Sequence, residues 1–351
     1  MEPKVTIIIL NWNGWKDTIE CLESVQRINY QNYHVLVVDN ASEDDSIEKI
    51  REYSRGEIDV KSNFFKYGAE NKPVTIFELF KEDVTSQKPI PDEIVELPPN
   101  RVITLIKNDL NQGFADGNNI GIEYALKSLD SDYVLLLNND TVVDPNFLEE
   151  LVDFGEKNEN AGFIGPKTYY YSNDNMIQMA GGGRINLKTG EPYGIDLEEV
   201  DNGQHNENRE LDYISGSCIL CKRAVLEEVG LMDPKHFMYW EETDWCFRGR
   251  KAGYKSFYVF KSQIWHKVGK SSQTELKIYY HNRNRLYFMR KNADKRNMFI
   301  FLLYFFLFYF WFMSGVYLIY RHDRNKFMSF LRGTREGFKV KPDIEMMKNL
   351  R

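Results

Sequence analysis

Tyr133-Val134-Leu135-Leu136-Leu137-Asn138-Asn139-Asp140 is the stretch on which the fold turns. Five apolar residues without alternation read as a strand buried on both faces. Polar residues placed abruptly at its carboxyl end sit where open α/β sheets bind ligands. A carboxylate beside two amides there suits a hard divalent cation that also holds a diphosphate. Asn and Asp are also ordinary turn residues, and Pro145 follows closely, so a simple polar turn fits the same letters.

Working outward, the pattern repeats. Val5–Leu10 reads as a buried strand ending in Asn11-Trp12-Asn13-Gly14, followed by a helix from Asp17 to Ile28. His34–Val38 ends in Asp39-Asn40-Ala41-Ser42, followed by a helix from Ser46 to Tyr53. Strand–helix alternation with polar residues after each strand predicts a mainly parallel central sheet with helices on both faces. Ser54 to Asn100 breaks the rhythm with charges and Pro73, Pro89, Pro91, Pro98 and Pro99, and reads as an insertion, partly ordered at best, with a β-like patch at Val74–Phe80. Arg101–Ile106 resumes the core. Asn111 to Asn119 reads as a Gly/Asn loop opening a helix over Ile120–Leu129, with N–H groups placed to hold a phosphate or a hydroxyl.

Further on come a helix over Pro145–Lys157, strands at Gly162–Tyr171 and Ile177–Arg184, and a polar loop from Lys188 to Arg209. Ile214–Cys221 reads as one strand, Arg223–Val229 as a short helix, Glu241–Ala252 as a helix and Tyr254–Val259 as a strand. Glu241-Glu242-Thr243-Asp244 puts three carboxylates at the start of that helix, where the dipole favours negative charge. Two tryptophans and a tyrosine interleave them, and a carboxyl in apolar surroundings has the raised pKa of a general base. His266, in Trp265-His266-Lys267-Val268-Gly269-Lys270-Ser271-Ser272, follows a strand and is either structural or a metal ligand.

The 351 residues, 42% hydrophobic, support one large domain with an appendage. A net charge of −7 argues against general polyanion or nucleic-acid binding. No signal peptide opens the chain, and Cys21, Cys218, Cys221 and Cys246 form no disulfide framework, which points to a reducing compartment. Cys218 and Cys221 fall on opposite faces of a strand and lack the partners of a zinc site. Met298 to Tyr320 is almost wholly apolar and long enough to cross a hydrocarbon core of roughly 30 Å. Basic residues flank both ends, so a single span and a helix lying in the membrane face both fit.

These segments together resemble the family-2, GT-A-type inverting glycosyltransferases, especially the rhamnosyl- and galactofuranosyltransferase-like branch. The resemblance implies a GT-A (Rossmann-like) catalytic domain over residues 1–291, with 54–100 inserted, and a membrane-associated helix and basic tail over 292–351. It places Asn11, Asn13, Asp39, Asn40, Asn111, Gly113, Gly117, Asn118, Asn138 and Asn139 around a UDP- or dTDP-linked sugar donor. It makes Asp140 and His266 ligands of Mg2+ or Mn2+, and Asn138 stands where the family has its first metal-motif Asp. It makes Glu242 the catalytic base, with Asp244 and Glu241 beside it. The acceptor it implies, joined to the membrane segment, is a glycan, lipid-linked as on a polyprenyl diphosphate, at the cytoplasmic face of the cell membrane. His281-Asn282-Arg283-Asn284-Arg285, just before that segment, is either a site for a lipid diphosphate or a basic flank. A nucleotidyltransferase and a non-catalytic sugar-nucleotide-binding scaffold are the competing readings. Against the first, Asn11-Trp12-Asn13-Gly14 lacks Lys or Arg; against the second, the acidic cluster at 241–244 is intact.

Overall fold

Strand register, more than any one motif, assembles the molecule. The computed structural model describes residues 2–267 and 274–341. Five strands, β1 (Val5–Asn11), β2 (Tyr33–Asp39), β3 (Thr75–Phe80), β4 (Val102–Lys107) and β5 (Tyr133–Asn138), run parallel in the order β5-β1-β2-β4-β3. Leu10 pairs with Asn138, Asn11 with Asp39, and Asp39 with Lys107. The polar ends of three sequence-distant strands therefore line one edge.

The sheet continues through β6 (Thr141–Val143), β7 (Ala161–Tyr170), β8 (Asn173–Asn186), β9 (Glu191–Val200), β10 (Arg209–Leu211), β11 (Tyr213–Ile214), β12 (Cys218–Lys222) and β13 (Lys255–His266). β12 wedges antiparallel between β5 and β7, and β13 runs parallel to β7. The last residue of β13, His266, pairs with Thr141, directly after Asp140.

Helices cover both faces. They are α1 (Trp15–Val25), α2 (Ser46–Arg55), α3 (Lys81–Thr85), α4 (Asp92–Val95), α5 (Gly113–Lys127), α6 (Phe147–Lys157), α7 (Arg223–Val229), α8 (Glu241–Lys251), α9 (Thr274–Asn292), α10 (Lys295–Tyr320) and α11 (Arg324–Lys339). Ile7 and Ile9 pack with α1, α2 and α6, while Ile8 packs with α5. That two-sided burial is why the strands lack alternation. Cys218 and Cys221 fall into opposite core layers, and all four cysteines are buried thiols.

Four expectations change. The Ser54–Asn100 stretch supplies β3, a parallel edge strand, and is tied to α1 by Lys72, whose ammonium lies 3.0 Å from the buried Glu23 carboxylate. The Lys188–Arg209 loop contains β9, which pairs with β8. Ile214–Cys221 is two short strands, broken at Ser215-Gly216-Ser217. The helix expected from Ile120 begins at Gly113. Its glycines have low helix propensity, but contact decides: a Cβ on Gly117 would meet Leu10 at 2.8 Å, and one on Gly121 would meet Ile8 at 2.8 Å.

Candidate active site

The edge where β1, β2 and β5 end holds a hydrogen-bonded net. Asp39 is buried and accepts from Asn11 Nδ2 at 2.7 Å, Ser42 Oγ at 2.6 Å and the Ser42 N–H at 3.0 Å. Thr18 Oγ1 donates to Asn11 Oδ1 at 2.7 Å and accepts from Asn139 Nδ2 at 3.0 Å. One threonine thus joins the first strand's turn to the 138–140 turn. Asn13 lies at the exposed rim, its side-chain oxygen accepting the Glu43 N–H at 2.7 Å. Trp12 beside it is 53% exposed, an unusual setting for an indole at a polar sheet edge. Sequence reasoning gave Thr18, Ser42 and Trp12 no role. For Trp12 the signal was present, a large apolar residue inside an Asn-rich turn.

Asp140 and His266 meet. The imidazole Nε2 lies 3.1 Å from Asp140 Oδ1, and Asn138 Nδ2 is 3.5 Å from the same nitrogen. His266 Nδ1 lies 2.9 Å from Gln178 Oε1. An amide oxygen accepts, so Nδ1 carries a hydrogen, and in the neutral tautomer Nε2 offers a lone pair with the Asn138 amide beside it. That lone pair faces a carboxylate, an arrangement a cation between them relieves. Metal-bound histidines commonly donate their other N–H to such a partner. The donor set, one carboxylate and one imidazole beside an amide, fits Mn2+ or Mg2+. Gln178, on β8, was not foreseen. Lys267, next along the chain, is held by Asp17 at 2.6 Å and Glu20 at 2.5 Å, which pins the end of β13 to α1. The rest of the matched segment, from Val268, lies outside the described residues.

Glu242 reaches the same edge from the other side. The Asn138 N–H donates to Ser217 O at 2.9 Å. A Cβ on neighbouring Gly216 would lie 3.9 Å from Glu242 Cγ and 3.6 Å from the Phe114 ring. The 215–217 turn therefore bridges the end of β5 to the first turn of α8. Burial pushes the Glu242 carboxyl up to about 7. Burial, then the adjacent Glu242, raises Glu241 well above the carboxylate range, and its Oε2 is buried with no partner.

Asp244 belongs elsewhere. Burial alone would raise its pKa, but Arg248 and Lys291 hold it well below the usual range. Its oxygens take Arg248 Nε at 2.9 Å, Lys291 Nζ at 2.8 Å and Asn292 Nδ2 at 2.8 Å. It ties α8 to α9, its charge held by two cations and an amide. Asp233, His236 and Asp244 place ligand atoms within 4.8 Å of one another. The Lys291 ammonium already lies 2.7 Å from Asp233 and 2.8 Å from Asp244, so a side-chain cation already stands in that cluster.

The Gly/Asn segment is mostly framework. Asn40 Nδ2 donates to Asn111 Oδ1 and Gly113 O, both at 3.0 Å. Asn118 is buried and donates to Phe114 O at 2.9 Å within its own helix. Gly113 has φ +74°, and a Cβ there would strike Phe237 at 2.5 Å. The Phe114 and Ala115 N–H groups of α5 are both taken by Phe237 O, at 2.6 and 3.2 Å. Gly113, Gly117 and Asn118 thus shape the wall of the cleft and face protein atoms, because a tightly packed helix start replaced the expected open loop.

The mixed sheet with its polar edge is a GT-A fold. It superposes on a mannosyltransferase of Pyrobaculum calidifontis, described in complex with GDP-Man and Mn2+, with a TM-score of 0.54 at 12% identity over 98% of this chain and 77% of that one. It superposes on GalNAc-T7, described with UDP, GalNAc and Mn2+, with a TM-score of 0.60 at 16% identity over 99% and 54%. The chain belongs to the glycosyltransferase-like family 2, whose sequence pattern matches residues 3–288. It is similar to the low-salt glycan biosynthesis hexosyltransferase Agl10 of Haloferax volcanii (30% identity, 40% of this chain, 44% of that one). It is also similar to the dTDP-rhamnosyl transferase RfbF of Shigella flexneri (25%, 57% and 67%) and to an N-acetylglucosaminyl-diphospho-decaprenol L-rhamnosyltransferase of Mycobacterium tuberculosis (28%, 38% and 47%). The match thus spans about half the length of two of these relatives and two thirds of the third.

Proposed function

We propose that this chain is a metal-dependent inverting glycosyltransferase of the rhamnosyltransferase-like branch. It moves a sugar from a UDP- or dTDP-linked donor to a lipid-linked glycan at the cytoplasmic membrane face. The observation that carries this is the bridge through Ser217 and Gly216, which joins the start of α8, with the raised carboxyl of Glu242, to the end of β5, two residues before the Asp140 that meets His266. The names of the relatives, with their rhamnosyl donors and a diphospho-decaprenol acceptor, support the same reading.

Asn11, Asn13 and Asp39 hold the nucleoside, with Trp12 offering a ring face to the base. Asn138 and Asn139 orient the donor's polar groups, with Asn40 and Asn111 buttressing the rim. Glu242 takes the proton from an acceptor hydroxyl, and that oxygen attacks the anomeric carbon on the face opposite the nucleotide. The unpartnered, apolar setting of Glu241 keeps it protonated, which spares Glu242 a second negative neighbour. Asp140 and His266 would hold the divalent ion, which would supply positive charge against the departing diphosphate. Residues 1–291 form the catalytic unit and 292–351 the membrane-associated appendage.

Replacement Glu242→Gln tests the base. Transfer, measured as glycosylated product by mass, falls by roughly 10²–10⁴-fold, the usual worth of a positioned base, while donor affinity by calorimetry is retained. Normal turnover in Glu242→Gln overturns the assignment.

A further inference from the structure

A cavity of about 310 Å³ opens between α9, α10, α11 and the start of β9. None of its lining residues belongs to the strand-end cleft. Trp240, Ile278, Tyr309, Tyr317 and Phe330 form its apolar wall. Two polar side chains enter it, Arg285 and Asn282, each 4% exposed. Each leaves one buried atom without a partner: Arg285 Nε and Asn282 Oδ1. Such atoms cost about 1–3 kcal/mol apiece and are rare without a reason.

The chemistry of the two atoms is specific. Asn282 Nδ2 donates to Phe330 O at 2.9 Å and Thr334 Oγ1 at 2.6 Å, which fixes the amide's orientation and leaves its oxygen to seek a donor. Arg285 lies over the Tyr309 ring at 4.1 Å, donates through Nη2 to Thr189 O, and stands 3.3 Å from Glu191 Oε1, while its buried Nε seeks an acceptor. A hydrocarbon satisfies neither atom, and a bare anion satisfies one. A sugar-phosphate headgroup offers both an anionic oxygen and hydroxyl or amide donors. Lys277 at the rim adds positive charge against Glu191. The helix that gives Tyr309 and Tyr317 to the wall turns Leu307, Phe308, Trp311 and Phe312 outward, each more than 60% exposed, so the element beside the cavity also carries an exposed apolar face.

The cavity also touches the catalytic helix. Trp240 precedes Glu241 directly, and Tyr239 stacks on His281 with centroids 4.4 Å apart. Phe237, Tyr239 and Trp240 all have positive φ (63°, 66° and 78°), a strained path of the kind found at ligand clamps. Asn284 Nδ2 holds it in place by donating to the carbonyls of His236, Met238 and Tyr239 at 2.8–2.9 Å.

We propose that this cavity binds the headgroup-proximal part of a lipid-linked sugar, an anionic amphiphile with a sugar-phosphate head, as the acceptor subsite. The proposal rests on the glycosyl-transfer reading above. The test uses the full chain and a synthetic farnesyl-diphospho-N-acetylglucosamine, with farnesyl diphosphate, farnesol and inorganic diphosphate as comparisons, read by calorimetry. The sugar lipid binds tightest. Ile278→Trp, which fills the cavity, and Arg285→Lys, which removes Nε, each weaken it at least tenfold, with melting by circular dichroism unchanged in Ile278→Trp. Undiminished binding in Ile278→Trp, or inorganic diphosphate matching the sugar lipid, overturns the proposal. Failure of the sugar lipid to bind, alongside Mn2+-dependent hydrolysis of UDP- or dTDP-sugars, overturns the subsite alone. Binding that follows the cavity variants while no nucleotide sugar is turned over supports the subsite and overturns the transferase reading.

Discussion

Glu242 and Asp244 stand two residues apart on the first turn of α8 and have opposite fates. The sequence offers no way to separate them, since both are acids at a helix start. What separates them is partners: Asp244 collects Arg248, Lys291 and Asn292, and the last two arrive from α9. Breaking that buried network with Asp244→Ala costs about 3–5 kcal/mol, because Arg248 loses its counter-charge and Lys291 one of two; chemical denaturation measures it. Glu242 behaves in the contrary way. Its folded pKa of about 7 lies above the ordinary 4.5. The folded state therefore binds the extra proton between those values, and stability falls as pH rises through 7. Glu242→Gln should raise the melting temperature at pH 8 more than at pH 5. Transfer by the unaltered chain should climb as pH passes about 7, when the carboxyl becomes a base. The meeting of Asp140 with His266 was legible from residue type and order. Gln178 was not, because its place depends on β8 lying beside β13.

At the scale of elements, two-sided burial made β1, β2, β4 and β5 easy to read. β9 and the Gly113 start of α5 were hidden. β9 pairs with β8 alone and keeps its polar residues, so it looks like a loop. α5 begins with poor helix formers that are selected for size, since Leu10 and Ile8 leave room only for glycine at 117 and 121. Residues 54–100 looked dispensable because charge and proline dominate them. Their Lys72 nonetheless answers Glu23, which is fully buried and also accepts from Tyr53 OH at 2.8 Å. Lys72→Ala removes one of that carboxylate's two cations, leaving Arg27 at 2.6 Å, and should destabilise by about 1–3 kcal/mol, the usual worth of a charged hydrogen bond. A loss under 1 kcal/mol in urea unfolding would remove the segment from the framework.

Across the whole molecule, α10 bears on the proposed membrane attachment. It covers 26 residues, or about 39 Å at 1.5 Å per residue, enough to span. Yet Phe301, Phe305 and Tyr317 are buried, and Phe330 of α11 packs against Tyr309, Phe310 and Tyr317. Phe306 stacks on Phe338, so α11 runs back alongside with Arg324, Arg332, Arg335 and Lys339 exposed. A span would carry those charges into hydrocarbon, whereas a helix lying in the interface keeps them at the headgroups. Protease added to sealed vesicles with the catalytic domain outside should therefore cut between Tyr320 and Arg324; protection until the bilayer is breached would favour a span.

The central claim concerns the convergence of Asp140, His266 and Glu242 on one donor site. Crystals soaked with MnCl2 and UDP or dTDP test it through the anomalous signal of manganese. The account predicts a peak between Asp140 Oδ1 and His266 Nε2, with the diphosphate against it and Glu242 facing the same cleft. Manganese at Asp233 and Asp244 instead, or nucleotide bound with no metal near Asp140, would contradict it.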